Sequence, residues 1–194
     1  MTRQLLIDRE AVITTAMRIA DQEGLAAVTM QRVADGLGVT PMALYRHVSN
    51  KKDLLDALVR LLLHDIQEPP EWMAWRERLR WLAEAIRASA LEHRAVFAVL
   101  PQHRETHEGV HVRLAVVDAL REAGVPEAEV VRTERVVSAV LLGFCASDAS
   151  GRFRDLPRRE VDGDFAASLR MIEHYVDLVR SEPGRTPEPE LRSG

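Results

Sequence analysis

Two groups of residues in this 194-residue chain have the types and spacing to do chemistry. The first lies between Thr29 and Lys52, in TMQRVADGLGVTPMALYRHVSNKK, where hydroxyl, amide, phenol, imidazole, guanidinium and ammonium groups crowd into a short span. Donors of that kind suit phosphate oxygens and base edges. The second is His103, His107 and His111, one imidazole every four residues, the spacing that places metal ligands on one helix face. Metal sensing or metal-dependent hydrolysis would need such a set. Pro101 and a helix start near Thr106 leave His103 outside that helix, Gly109 weakens its middle, and no serine, histidine and acid constellation or general base accompanies the three. They read first as a solvated helix face, with a metal-sensing regulator as the alternative and a hydrolase behind it; no metal ligand and no cofactor is assigned.

The first group needs a scaffold, and the sequence supplies one. Val28, Thr29 and Val33 form an N-cap with a hydrophobic staple around it; Val39, Thr40 and Leu44 repeat the arrangement, with Pro41 at the first helical position, where its missing N–H costs nothing. Two helix starts therefore lie eleven residues apart, joined at Gly36 and Gly38. Ala34 is small enough for close approach, and Val33, Leu37, Val39, Leu44 and Val48 supply an apolar seam. This is a helix-turn-helix, which presents its second helix, here expected from Thr40 to His47, to the major groove of DNA. Thr40, Pro41, Met42, Ala43, Tyr45 and Arg46 remain outward. Thr29, Thr40 and their backbone amides suit phosphates, Tyr45 and His47 can donate to the DNA backbone, and Lys51 adds a charge at the next helix start. Base reading falls to Pro41, Met42 and Ala43, whose apolar surfaces suit thymine methyls, with Gln31 able to pair with adenine and Arg46 with guanine.

The run GVTPMALYRHVSNKKDLLDAL resembles the tetracycline-repressor (TetR) family of bacterial transcription regulators, over roughly residues 8–60. The resemblance implies a DNA-binding head on a helical body that binds a ligand and dimerises. It also implies that the position of Gln31 and the exposed residues after Val39 approach bases, while Tyr45, His47 and Lys51 contact the DNA backbone. Met42 and Arg46 fall where the family varies, so the operator is not set by the resemblance. Leu82 and Leu100 stand among the positions where the tetracycline repressor itself binds drug and magnesium, so tetracycline is not the expected ligand.

Composition sets the limits. A chain that is 46% hydrophobic and 29% charged can bury a proper core. The net charge of −4 is not the footprint of a general nucleic-acid binder. Its distribution is more telling: Arg32, Arg46, Lys51 and Lys52 surround the motif, and the acidic excess lies beyond residue 60, so an acidic body repels DNA except through one face. Cys145, the single cysteine, sits in the apolar run LLGFCA and reads as a small buried hydrophobe. The charged Asp8, Arg9 and Glu10 argue against a signal peptide, and no apolar run approaches the ~18 residues of a membrane span. A soluble cytoplasmic protein without a membrane partner is expected.

The rest of the chain reads as all-α. A first helix opens at Asp8 and ends before Gly24; a fourth starts at Asn50 and runs toward Pro69 and Pro70; a fifth spans about Trp72 to His93; a short sixth covers Arg94 to Leu100; a seventh runs from about Thr106 to Ala123. An eighth, about Pro126 to Ser147, is apolar all round, and a ninth, about Asp162 to Val179, carries Phe165, Leu169, Ile172, Val176 and Val179. The resemblance pairs these two in a dimer four-helix bundle, so the Val136–Leu142 and Phe165–Val179 faces are expected to meet their two-fold copies. The segment 149–164 between them reads as a loop. The division is residues 1–50 as DNA-binding head, 51–181 as effector-binding and dimerising body, and 182–194 as a disordered Pro-rich tail. An apolar pocket for a small, flat or lipophilic effector is expected between the fifth, seventh and eighth helices, lined by Trp72, Trp75, Phe97 and Phe144, with His103 and Asp148 as polar anchors. Partners are double-stranded operator DNA, that effector and a second copy; the regulator is most simply a repressor without enzyme activity.

Overall fold

The computed structural model describes residues 7–100 and 107–181, with side chains from residue 110 onward in the second stretch. Among them there is no strand, and the helices are α1 (Arg9–Glu23), α2 (Met30–Leu37), α3 (Pro41–Leu44), α4 (Lys51–His64), α5 (Trp75–Glu92), α6 (Arg94–Phe97), α7 (His107–Glu122), α8 (Glu127–Ala149) and α9 (Arg158–Ser181). The expected helix starts are made by their caps. Asp8 Oδ1 accepts from the Ala11 amide at 2.7 Å, Thr29 Oγ1 from Arg32 at 3.1 Å and Asn50 Oδ1 from Asp53 at 3.0 Å, each satisfying an N–H that the helix leaves orphaned. Thr40 differs, because its side chain makes no such bond and Pro41 alone pre-sets the turn. Gly38, at φ +68°, provides the left-handed residue that turns the chain from α2 into α3.

Val12, Ile19, Val28, Val33, Leu44, Val48, Leu54 and Leu58 are buried together, so α1 to α4 share one core. That core continues through Leu62, Leu63 and Ile66 into Leu82, Val116, Leu120 and Leu141. The helix α4 is the continuous element, packing on α1 at one side and on α6 and α7 at the other. Beyond it α5, α7 and α8 pack mutually, and α9 closes over α8 and α5.

Four expectations are corrected. The groove-facing helix is shorter than Thr40 to His47: α3 ends at Leu44, and the bonds from the His47 and Val48 amides to the Leu44 carbonyl carry the chain round toward Asn50. α5 begins at Trp75 rather than Trp72, because Glu77 reaches back to the Ala74 amide and the Met73 amide closes a turn on Pro70. α9 starts four residues before Asp162, at Arg158, directly after Pro157, so much of the segment read as loop is helical; Val161 and Phe165 hold those first two turns in the core across Gly163. Finally, Phe165, Leu169, Ile172 and Val176 face the chain's own core. The stripe that α9 turns outward is Ala167, Met171, His174 and Leu178, and on α8 it is Val136, Ala139 and Gly143, with Val137 and Leu141 inward. An amphipathic pattern tells which residues are apolar, not which of two apolar sides meets which neighbour.

Candidate nucleic-acid interface and internal cavity

The outer surface of α2 and α3 carries the residues named for DNA. On α3 Met42 is 75% exposed and Pro41 and Ala43 are half-buried; in the turn after it Tyr45 and Arg46 are exposed and His47 is half-buried, and Lys51, which opens α4, is exposed. Thr29 and Thr40 stand at the two helix starts, both exposed, where backbone amides point outward. Gln31, also exposed, donates through Nε2 to Asp35 Oδ1 at 2.8 Å, one turn along α2. A base contact by Gln31 must compete with that bond.

The placement of α3 depends on Asp53, three residues after the Asn50 cap, and on Arg9, whose role the sequence reading passed over. Arg9, at the start of α1, donates to the backbone carbonyl of His47 and, at 3.2 Å, to Asp53 Oδ1. Asp53 Oδ2 accepts from the Ser49 amide at 2.8 Å, and Arg60 lies 3.8 Å from its other oxygen. The turn between α3 and α4 is thus tied from two elements, α1 and α4. The Ser49 amide and the Arg9 guanidinium hold the Asp53 carboxyl below the usual carboxylate range. At the far end of α2, Arg32 grips Glu23 with two bonds, at 3.1 and 2.6 Å, which lowers the Glu23 carboxyl and raises the Arg32 guanidinium. Arg32 is therefore spent on holding α2 against α1. The Arg9 role had a signal, an arginine exposed beside a cap, but nothing in a linear pattern says that it meets residue 47.

A cavity of about 420 Å³ lies between the end of α4, α5, α6, α7 and α8. Leu63, Ile66, Ile86, Phe97, Leu100, Val116 and Leu141 form its apolar wall, and Val131, Arg113 and Arg135 stand exposed at its rim. Its buried polar group is Glu134, whose Oε1 accepts from Ser138 Oγ at 2.9 Å. Of the named lining candidates Phe97 is in this wall; the others lie elsewhere or outside the described residues. Trp72 is 80% exposed in the turn before α5. Trp75 is buried, with the Arg76 guanidinium 4.1 Å above its ring. Phe144 packs on Phe153 and Phe165, at 5.5 and 5.4 Å between centroids. Asp148 is buried against Arg87, which donates to Oδ2 at 3.0 and 2.9 Å, and accepts also from Arg158 at 2.9 Å. A charge so buried must be paired, and this pair bolts α5 to α8 and the start of α9 rather than facing a ligand. His93, at the end of α5, meets Asp21 at 3.0 Å. Arg76 pairs with Asp177 at 2.6 Å, away from this cavity. Glu134 was legible in principle: Val130, Glu134, Val137 and Leu141 share one face of α8, and a carboxylate in that row is the anomaly.

His111 Nε2 lies 3.3 Å from the Ile66 carbonyl, bridging α7 to the end of α4. His103 lies outside the described residues, as does the side chain of His107. Among the described residues no group of histidine, cysteine or carboxylate side chains could hold a metal ion. Cys145 is fully buried and burial pushes its thiol up to about 12, so it is an apolar filler. No helix among the described residues is long and apolar enough to cross a membrane.

Comparison with known proteins bears on both regions. Residues 12–58 match the bacterial regulatory proteins of the tetR family, and residues 68–178 match the tetracyclin repressor-like C-terminal domain. The chain is similar to the tetracycline repressor protein class C of Escherichia coli, 38% identical over 45% of this chain and 42% of that protein. It is also similar to the HTH-type transcriptional repressor DrrR1 of Streptomyces coeruleorubidus, 31% identical over 89% of this chain and 64% of that one. The chain thus spans less than two thirds of the length of these curated relatives. Among solved structures it resembles BioQ of Mycobacterium smegmatis, with a TM-score of 0.76, 27% identity, and 89% and 99% of the two chains covered. BioQ with its natural double-stranded DNA operator superposes with a TM-score of 0.73, at 28% identity over 91% and 99% of the chains. From the capped helix-turn-helix at one end to the helices around the cavity at the other, the chain belongs to the tetR family of bacterial regulatory proteins.

Proposed function

We propose that this chain is a ligand-responsive transcriptional repressor, acting as a cytoplasmic homodimer that leaves its operator when a small lipophilic effector fills the cavity. Residues 1–50 are the DNA-binding head, 51–181 the effector-binding and dimerising body, and 182–194 a tail. Thr29, Thr40, Tyr45, His47 and Lys51 position the head on phosphates; Gln31, Pro41, Met42, Ala43 and Arg46 read bases. The protein works by binding and carries no catalytic step. The observation that supports the reading is the course of α4: Asn50, its cap, adjoins the turn after α3, while Leu63, and Ile66 just beyond its end, line the cavity. A ligand that fits the cavity better in one tilt of α4 than in another changes the pose of α3, and releases DNA only by that difference in affinity. Selecting bound sequences from a random duplex pool, then mapping the protected stretch, tests the reading. A short site with two-fold symmetry is expected. Binding without sequence preference would overturn it.

A further inference from the structure

The cavity wall holds one buried charge, and that charge is poorly served. Glu134 is 5% exposed among apolar neighbours on α7 and α8. A carboxylate offers roughly four acceptor sites. Among the described residues one hydrogen bond reaches Glu134, from Ser138 at 2.9 Å; the nearest cation, Arg113 Nε, stands 3.8 Å from Oε2, beyond hydrogen-bond reach. The arginines of the same cavity are in the opposite condition. The Arg113 side chain is 61% exposed and Arg135 is exposed as well, so both are solvated at the rim. An anionic ligand would have to leave water for a rim site close to the charge of Glu134. A cation carried on an apolar body would meet apolar walls and an acceptor short of donors.

Resting on the reading of this cavity as an effector site, we infer that the effector is a lipophilic organic cation, an apolar body bearing a protonated amine or amidine whose N–H groups bond the Glu134 carboxylate. Arg113 yields the acid and turns fully to solvent. Ser138 keeps the carboxylate oriented toward the cavity, as a positioning residue.

Affinity measured by calorimetry, together with the shift in melting temperature, tests this on the full chain with two matched sets near neutral pH and below any micelle-forming concentration: decylamine, decanol and decanoate; naphthylmethylamine, naphthylmethanol and naphthoate. In at least one set the amine should bind roughly tenfold more tightly than the alcohol, the worth of one charge-assisted hydrogen bond, and the carboxylate most weakly. Glu134→Gln should bring the amine down to the level of the alcohol, and Arg113→Gln should strengthen the amine by removing its competitor. Should Glu134→Gln fail to fold, the Arg113→Gln result decides. Tightest binding by the carboxylates, equal binding within each set, or an amine preference that survives Glu134→Gln would overturn the assignment while leaving the cavity an effector site. Binding by no member of either set would remove the effector reading itself, and this assignment with it.

Discussion

Side chains on the α2 and α3 surface divide by what they can reach. Tyr45 and Lys51 are exposed donors that we propose for phosphates, so Tyr45→Phe and Lys51→Ala should weaken operator and random duplex alike, and losing the Lys51 contact should reduce the salt slope of binding by about one. Changing Gln31 or Met42 should instead redistribute preference among operators, each good base contact being worth about 1–3 kcal/mol. The bond from Gln31 to Asp35 adds a condition: Asp35→Ala frees the amide and should alter preference at the same base. Equal losses on every sequence for both groups would sink the division. Asp53 acts one step back. Its carboxyl is held below the ordinary range near 3.9, so the stability it lends is present above that value and is lost as pH falls through the lower folded one. Thermal melts of Asp53→Asn from neutral pH downward should show a shallower acid limb than the parent; identical limbs would contradict it.

At the scale of elements, the molecule depends on caps at one end and an ion network at the other. Asp148→Ala would leave the buried Arg87 with only the half-exposed Asp162, 2.9 Å away, and should cost about 3 kcal/mol, the lower end for a broken buried pair, read as a lowered midpoint in denaturant. The loss should exceed that of Asn50→Ala, about 1 kcal/mol for one helix cap; the reverse order would mean that the network is solvated. The same contrast explains what could be read from the chain in advance. Asp8, Thr29, Asn50 and Gly38 act on neighbours within four residues, so the helix starts and the turn between α2 and α3 were legible. Asp148 and Arg87 are 61 residues apart and Arg9 and His47 are 38 apart, and no period or cap signals such a meeting. The aromatic residues misled for a related reason. Trp75 and Phe144 satisfy themselves against Arg76, Phe153 and Phe165, and the pocket fell to aliphatic side chains that look like any core. The early start of α9 escaped notice because its first two turns, rich in charge and containing Gly163, are kept helical by packing rather than by propensity.

For the whole molecule the outward stripe of α8 and α9 is the face that the proposed dimer would use. Met171 is 54% exposed on the same turns where Leu169 is 9% exposed. A charge at Met171 should therefore give folded monomers by breaking a two-fold contact, whereas the same change at Leu169 should unfold the chain, since it buries an unpaired ion within one copy. Sedimentation and circular dichroism separate the outcomes; a monomeric parent at micromolar concentration would count against the dimer. Cys145 offers a way to watch such an assembly move. Because the one thiol in the sequence is sealed in the core as an un-ionised group, the native protein should be silent toward maleimide and methanethiosulfonate reagents. A cysteine placed at exposed Met42 would then be the sole attachment point for a spin label, without first removing a native residue. The dipolar coupling between two such labels would measure the gap between the reading heads directly, in the presence and absence of any small molecule.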